Sequence, residues 1–392
     1  MNALLSRQRQ DRDRAAVAGW VAGGQSGLRR ELLPKAGTRS LAPMRLAQEL
    51  VPLPPSRFPG ELRSAFSPPQ RDVWASALWY ETTLAHALPA GSEALALRAG
   101  RCTVLLLRHG GRVSALATPY TQAWRPLGPE DVTQAEWTAA GLALAGLLRF
   151  RPPARLEAIE SDAAWLAPLL SGLEAGGMVA RCFAHTLRRI APLDLAAGWS
   201  GYLAERPSPL RNTISRRLKA AARTARLELI RHSGPELERG LSAFRAVRAR
   251  SWKPEEPFPE FDPALIRAAA EAGVVRLGVL READDTPIAA QYWLVESETG
   301  RALVPKLFHD EAKRASSPGT VLTALMVRHL IEEDRVRMLD FGRGDDAYKA
   351  LWAPDRVPLV GVLLADPRHP LGAAALACHA LGRLLRRLRD GS

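Results

Sequence analysis

The chain has 392 residues, 47% of them hydrophobic and 24% charged, enough apolar material for two or three cored domains and too much for wholesale disorder. Its net charge of +13 suits an anionic partner. Yet only six of the 54 basic residues are lysine, beside abundant Ala, Leu and Pro, the profile of a GC-rich coding bias, so the charge is weak support for nucleic-acid binding.

Residues 1–59 are rich in Arg, Gln, Gly and Pro and read as an irregular basic segment, with a docking helix expected around Arg45–Val51. The first residues mix arginine and aspartate with no continuous apolar segment behind them, unlike a signal peptide. No run of ~18 or more apolar residues reads as a membrane span. Cys102, Cys182 and Cys378 lie far apart, without CxxC or zinc spacing, so neither a disulfide framework nor a metal site is expected and a reducing compartment fits.

A first α/β domain is expected over 60–192. It reads as a helix at Trp74–His86, strands at Ala94–Leu97, Thr103–Arg108 and Arg112–Thr118, and a helix at Glu136–Leu148. A strand at Arg155–Ile159, a helix at Asp162–Glu174 and a strand at Met178–Thr186 follow. A second domain is expected over 193–366. Ser208–Arg226 reads as a basic amphipathic helix on Leu210, Ile214 and Leu218, either a solvated face or a contact surface for a phosphorylated or acidic substrate. Helices at Pro235–Trp252 and Asp262–Ala272 precede a meander of Val274–Arg281, Ile288–Glu296 and Arg301–His309. A helix at Thr320–Glu333, a strand at Val336–Phe341 and a closing strand at Val357–Ala365 complete it. Within 367–392, a helix over 371–389 sets Arg383, Arg386, Arg387 and Arg389 beside leucines, so it either lies on anionic lipid or docks on its own protein.

The stretch Val336–Trp352 carries the chemistry. Gly342 and Gly344 turn the chain into a short helix expected to open at Asp345, which puts Asp345, Tyr348, Lys349 and Trp352 on one face. An acid, a phenol, an amine and an indole make a poor core face, so the face reads as a site. The same stretch spells Gly342-x-Gly344-x-x-Ala347, with Asp366 about where a ribose-binding acid of a dinucleotide fold would sit. That reading fails on context: Asp345 and Asp346 would repel a pyrophosphate at the helix start, and too little chain follows for a doubly wound sheet.

The pattern Asp340-Phe341-x-Arg343-Gly344-Asp345-x-x-Tyr348-Lys349-x-x-Trp352 resembles the late motif of the CelD/BcsL-like acyltransferases, relatives of the GNAT acetyltransferases and of the FemAB aminoacyl transferases. The resemblance extends over roughly Leu193–Asp366, and Thr118–Leu127 is similar to a segment of the family's N-terminal half. It implies an α/β (α+β) fold of two tandem GNAT-like domains, each a mixed, mostly antiparallel sheet flanked by helices, around a central cleft. The first domain would be a degenerate copy. It further implies transfer of an acyl group from a thioester, acyl-CoA or an acyl carrier protein, to an amine or hydroxyl of a small-molecule or saccharide acceptor in envelope or exopolysaccharide biosynthesis. No permanently bound cofactor and no metal is implied, and the location is cytoplasmic, extending to the inner face of the membrane.

On this resemblance Asp340 or Asp345 orients or deprotonates the acceptor and Tyr348 protonates the departing sulfur. Arg343 and Lys349 hold an anionic part of the acceptor, Trp352 forms an apolar wall, and His309 ends the third meander strand at the substrate side. Arg314, Ser317, Gly319 and Thr320 stand where GNAT proteins hold the coenzyme A pyrophosphate. There Ser317 replaces a glycine and Pro318 removes an amide donor. Two other readings stay open: a FemAB-like transferase using aminoacyl-tRNA, the one reading with a nucleic-acid partner, and a non-catalytic scaffold of a polysaccharide synthesis complex. In purely structural terms Asp345 would cap the helix, Arg343 would pair with Asp340, Trp352 would fill a core and Lys349 would snorkel.

Overall fold

The structure, a computed structural model, describes residues 48–54 and 58–390. In chain order the elements are β1 (Gln48–Pro52), α1 (Ala77–His86), β2 (Glu93–Ala99), β3 (Cys102–His109), β4 (Arg112–Ala115), α2 (Gln134–Leu148), β5 (Ala154–Glu160), α3 (Leu166–Ala175) and β6 (Val179–Pro192). They continue as α4 (Gly198–Ala204), α5 (Ser208–Thr224), β7 (Ala225–Ile230), α6 (Pro235–Ala249), α7 (Phe261–Glu271), β8 (Val275–Glu282), β9 (Pro287–Glu296) and β10 (Arg301–His309). Then come α8 (Pro318–Glu332), β11 (Met338–Arg343), α9 (Ala347–Trp352), β12 (Asp355–Ala365) and α10 (Pro370–Asp390). No helix among the described residues is long and apolar enough to cross a membrane.

Most of the expected 1–59 segment lies outside the described residues. Where description begins, Gln48–Pro52 is a strand paired antiparallel with β2, not the helix expected at Arg45–Val51. The chain forms two compact units, and they are not the contiguous 60–192 and 193–366 expected. One holds 89–187 with the segments before 67 and after 357; the other holds 67–88 and 188–357. The chain crosses between them inside β6 and again inside β12. Residues 67–88 belong with the second unit for a physical reason: Val73 N donates to Glu296 Oε1 at 2.9 Å, and Trp79 meets Phe261 edge-on at 5.3 Å.

In the first unit β1, β2, β3 and β4 run antiparallel, β4 meets β5 in parallel at Ser114 and Arg155, and β5 pairs antiparallel with β12. Leu95, Val104, Leu106, Leu156 and Val362 of the sheet pack with Leu144, Leu148, Leu169 and Leu173 of α2 and α3. The two helices touch backbone to backbone. A Cβ at Gly172 would fall 1.9 Å from Thr138 O, and one at Gly141 2.0 Å from Leu169 O, so neither position has room for a side chain.

In the second unit the end of β6 pairs with β11, and the order runs on through β10, β9, β8 and β7. All neighbours are antiparallel except β10 and β11. Successive side chains of β9 point to opposite faces. Gln291 meets Thr323 of α8, whereas Tyr292 meets Phe244 of α6 and Asp262 of α7, so helices cover both faces of the sheet. Each unit is a mixed, mostly antiparallel sheet flanked by helices, the α/β (α+β) class that the sequence implied.

Candidate functional site

The parallel pair β10 and β11 positions everything that follows. Its register runs only from Arg301 with Met338 to Leu303 with Asp340. β10 then continues to His309 and β11 to Arg343 without pairing to each other, and a register shift between Leu303 and Lys306 marks the point of departure. Two strands that separate within a sheet leave backbone groups facing an opening, and such groups need a partner. An extended ligand chain carrying amides supplies one.

Asp340 stands at the last paired position and is 1% exposed. Its Oδ1 accepts from Gly342 N at 2.8 Å, and its Oδ2 lies 3.4 Å from Arg188 of β6. Gly342 (φ 70°) and Gly344 (φ 111°) take the chain off the strand through a left-handed backbone that other residues resist. The helix then opens at Ala347, two residues later than expected. Asp346 is the cap, its side chain accepting from Lys349 N at 2.9 Å. Asp345 is therefore off the helix face. It is held by Arg189, whose Nε donates to Oδ1 at 2.6 Å, and by Arg356 at 2.9 Å from Oδ2.

Trp352 is fully buried, stacks on Phe341, and accepts at its carbonyl from Tyr202 (2.6 Å) and Arg206 (2.8 Å). It is a core residue with no exposed surface to offer as the apolar wall expected of it. Tyr348 points inward from the same helix. Its hydroxyl is 2.8 Å from Thr323 Oγ1, which in turn donates to Gln291 Oε1 at 3.1 Å. Burial raises the Tyr348 phenol well above its ordinary range and so keeps it protonated. Lys349 donates to the Arg343 carbonyl and lies 3.8 Å from Asp346, and burial lowers its pKa.

Across the opening, His309 sits at the end of β10 with Nε2 3.5 Å from Glu311, and burial lowers its pKa, which favours a neutral imidazole. A Cβ at Gly319 would lie 3.4 Å from His309 Nδ1, so the imidazole and the start of α8 are close neighbours. Ser317 precedes that helix in a left-handed conformation (φ 56°), and Pro318 takes its first position without an N–H. Gly319 is buried beneath, Thr320 is half-buried, and Arg314 is exposed and paired with Glu311 at 3.2 Å. His309, Ser317, Gly319 and Thr320 thus share one end of β10 and α8. Asp340 and Asp345 are each committed to an arginine.

Several groups here were not singled out in the sequence. Arg188 and Arg189 hold the two acids, Thr323 holds Tyr348, and Gln291 accepts from Thr323. Lys253 reaches in from the segment between α6 and α7, its Nζ donating to Leu307 O of β10 at 2.6 Å. Lysine scarcity was the available signal for Lys253. For the arginines, abundant everywhere, there was none. Among the described residues no group of side chains could hold a metal ion.

With this geometry in place the family comparison has a structural counterpart. Residues 208–350 match the acetyltransferase (GNAT) domain. The matched span runs from α5 to α9 and includes the separating strands. No curated protein matches the chain in sequence. Among solved structures, FemX aligns at TM-score 0.51 and 12% identity over 81% of this chain and 96% of its own. A tandem GNAT protein from the clavulanic acid biosynthesis pathway aligns at TM-score 0.45 and 14% identity, over 81% and 98%. The L-PGS of Bacillus licheniformis aligns at 0.47 and 12%, over 69% and 83%. At such identity the likeness to FemX is one of fold.

Proposed function

We propose that the chain is a GNAT-type acyltransferase that moves an acyl group from a thioester, acyl-CoA or an acyl carrier protein, to an amine or hydroxyl. The observation that carries this reading is the separation of β10 from β11 beside the start of α8, inside the span that matches the GNAT domain. The donor's pantetheine amides would pair along the open side of β10, and its phosphates would meet the N–H groups of Gly319 and Thr320. The acceptor's nucleophile attacks the thioester carbonyl, the C–S bond breaks, and Tyr348, kept protonated by burial, gives its proton to the thiolate. His309, a neutral imidazole at the opening, is better suited to take the acceptor's proton than Asp340 or Asp345, which are engaged by arginines.

The motif residues favour a CelD/BcsL-like enzyme of envelope or exopolysaccharide biosynthesis with a saccharide or small-molecule acceptor, working in the cytoplasm or at the inner face of the membrane. Leu371, Leu381 and Leu385 are exposed on α10, and with the arginines of that segment they suit contact with anionic lipid. The side chains of Arg383, Arg386, Arg387 and Arg389 themselves lie outside the described residues.

Two observations keep other readings in play. Pro318 removes one amide from the phosphate-binding turn, which favours an aminoacyl-tRNA donor of the FemAB kind over coenzyme A. The engagement of both motif carboxylates favours a non-catalytic scaffold. Calorimetry with coenzyme A and a thiol-release assay with acetyl-CoA over a panel of amines and sugars separate the three. The acyltransferase reading expects coenzyme A binding and a turnover that Tyr348→Phe lowers by ~100- to 10,000-fold. Absence of coenzyme A binding together with absence of thiol release from acyl-CoA and from an acyl carrier protein thioester would overturn it, and binding without turnover would leave the scaffold.

A further inference from the structure

The face of the sheet under α8 holds a polar side chain that the chemistry above leaves unused. Gln291 of β9 is fully buried, and the residues that share its face along the strand, Ala289, Trp293 and Val295, are apolar. In register it stands opposite Leu307 of β10, in the part of that strand that has left β11, and opposite Gly278 of β8. A Cβ at Gly278 would fall 2.5 Å from Met326 Sδ of α8, so the glycine lets the helix close on the sheet there. Thr323 of α8, 1% exposed, stands against the amide. Its Oγ1 donates to Gln291 Oε1 at 3.1 Å and lies 2.8 Å from the Tyr348 hydroxyl.

An amide in an apolar layer is costly unless both of its ends are bonded. Gln291 Nε2 has no hydrogen-bond partner among the described residues. A hydroxyl carries one proton, and Thr323 gives its own to Gln291 Oε1, so the bond between Thr323 and Tyr348 runs from the phenol to the threonine. The Tyr348 proton is then turned inward, whereas a general acid must present it to the departing sulfur. A primary amide carries an acceptor and two donors on one planar group, and half a turn places Nε2 where Oε1 stood. Nε2 then donates to Thr323, Thr323 donates to the phenol oxygen, and the phenol proton is free to turn outward. Such a chain of hydrogen bonds polarises along its length, which favours a phenolate at its end.

We propose that Gln291 is a positioning residue for the acyl transfer, whose carboxamide turns over to reverse the Thr323–Tyr348 hydrogen bond and so lets the phenol part with its proton. The proposal rests on the acyltransfer reading above. In the step itself the phenol O–H bond breaks and an S–H bond forms on the departing thiolate. The electron pair stays on the Tyr348 oxygen, which accepts from the Thr323 hydroxyl. No proton leaves Thr323 or Gln291, and the phenolate is reprotonated from solvent once the products have gone.

The test uses the full chain with difluorotyrosine, a more acidic phenol, in place of Tyr348, and follows its titration by fluorine NMR. Gln291→Met and Gln291→Leu, each shown to be folded by its melt, are expected to raise the pKa of this phenol by about one to two pH units, the effect of one hydrogen bond to a charged group. Thr323→Val should raise it at least as far, and the double variant no further than Thr323→Val alone. Thr323→Ser, which keeps the hydroxyl, should titrate as wild type does. Burial, the Trp352 indole and the Asp346 carboxylate also act on this phenol, and all three stay in place in these variants. An unmoved titration in both Gln291 variants overturns the proposal, and so do effects of Gln291 and Thr323 that simply add. A shifted titration in a protein that neither binds coenzyme A nor releases thiol from a thioester sustains the hydrogen-bond chain and refutes the acyltransferase reading instead.

Discussion

Lys253→Met is expected to change the stability of the second unit in a pH-dependent way whose sign is set by burial. Burial, followed by the charges of Lys306 and Lys349, pushes the Lys253 ammonium down from 10.5 to about 8. Between those values the unfolded chain holds a proton that the folded chain has released, so folding stability rises with pH across this window. A shift of this size is worth about 3 kcal/mol. Above pH ~10.5 the amine is neutral in both states and the penalty is gone; below pH 8 it is present in full.

The variant carries no such penalty at any pH, though it forfeits the hydrogen bond to Leu307 O, worth about 1–1.5 kcal/mol. At pH 7 it should therefore be more stable by about 2 kcal/mol, a rise of ~4–8 °C for a unit of this size. Urea titrations of both proteins at half-unit pH steps from 7 to 10.5 follow the difference directly. The variant's advantage should vanish, then reverse, as pH passes from 8 to 10.5. A difference that is flat over that window would show that Lys253 is not held below its ordinary range. The account of its burial beside Lys306 and Lys349 would then be wrong.

Asp345→Ala should cost about 3–5 kcal/mol, because it leaves Arg189, 6% exposed, without its carboxylate. The fall appears in the melt, while turnover per folded molecule stays within a few-fold of wild type. An unaltered melt with a hundredfold loss of turnover would restore Asp345 to the chemistry. Truncation after Ala375 should abolish co-sedimentation with anionic vesicles and leave the melt nearly unchanged, since most described residues beyond it are exposed. A large drop in melting temperature, with no vesicle binding by either form, would make α10 part of the fold.

The meander, α8 and β11 were legible because each pairs a clean apolar pattern with Gly or Asp turns, as in Asp284-Asp285-Thr286-Pro287 between β8 and β9. β7 was hidden because it follows α5 with no turn residue between Thr224 and Ala225, so the basic helix pattern ran on into it. Two adjacent aspartates offer the same capping chemistry, so the expectation fell on Asp345, and only the hydrogen bond from Lys349 N selects Asp346 as the cap. Trp352 looked like a site residue because a six-residue helix is too short to show which of its faces is buried. The partners of the motif acids were invisible for a different reason: Arg189 and Asp345 are 156 residues apart, and no local pattern encodes such a pair.

Arginine and lysine do different work in the second unit, and the difference bears on which motif residues remain available for chemistry. The guanidinium fork joins two acceptors at once. Arg189 bonds Asp345 and the carbonyl of Pro354, and Arg250 bonds Asp310 and the carbonyl of Pro287. These bonds tie loops to strands and use up the carboxylates they meet. Lys253 ends on the carbonyl of Leu307, and Lys349 on the carbonyl of Arg343 with Asp346 3.8 Å away. A chain whose composition supplies arginine so freely could have made these contacts with guanidinium groups, had bridging been their purpose. On the acyltransfer reading proposed above, the chemistry of the opening falls to Tyr348 and His309, while Asp340 and Asp345 are engaged by Arg188 and Arg189.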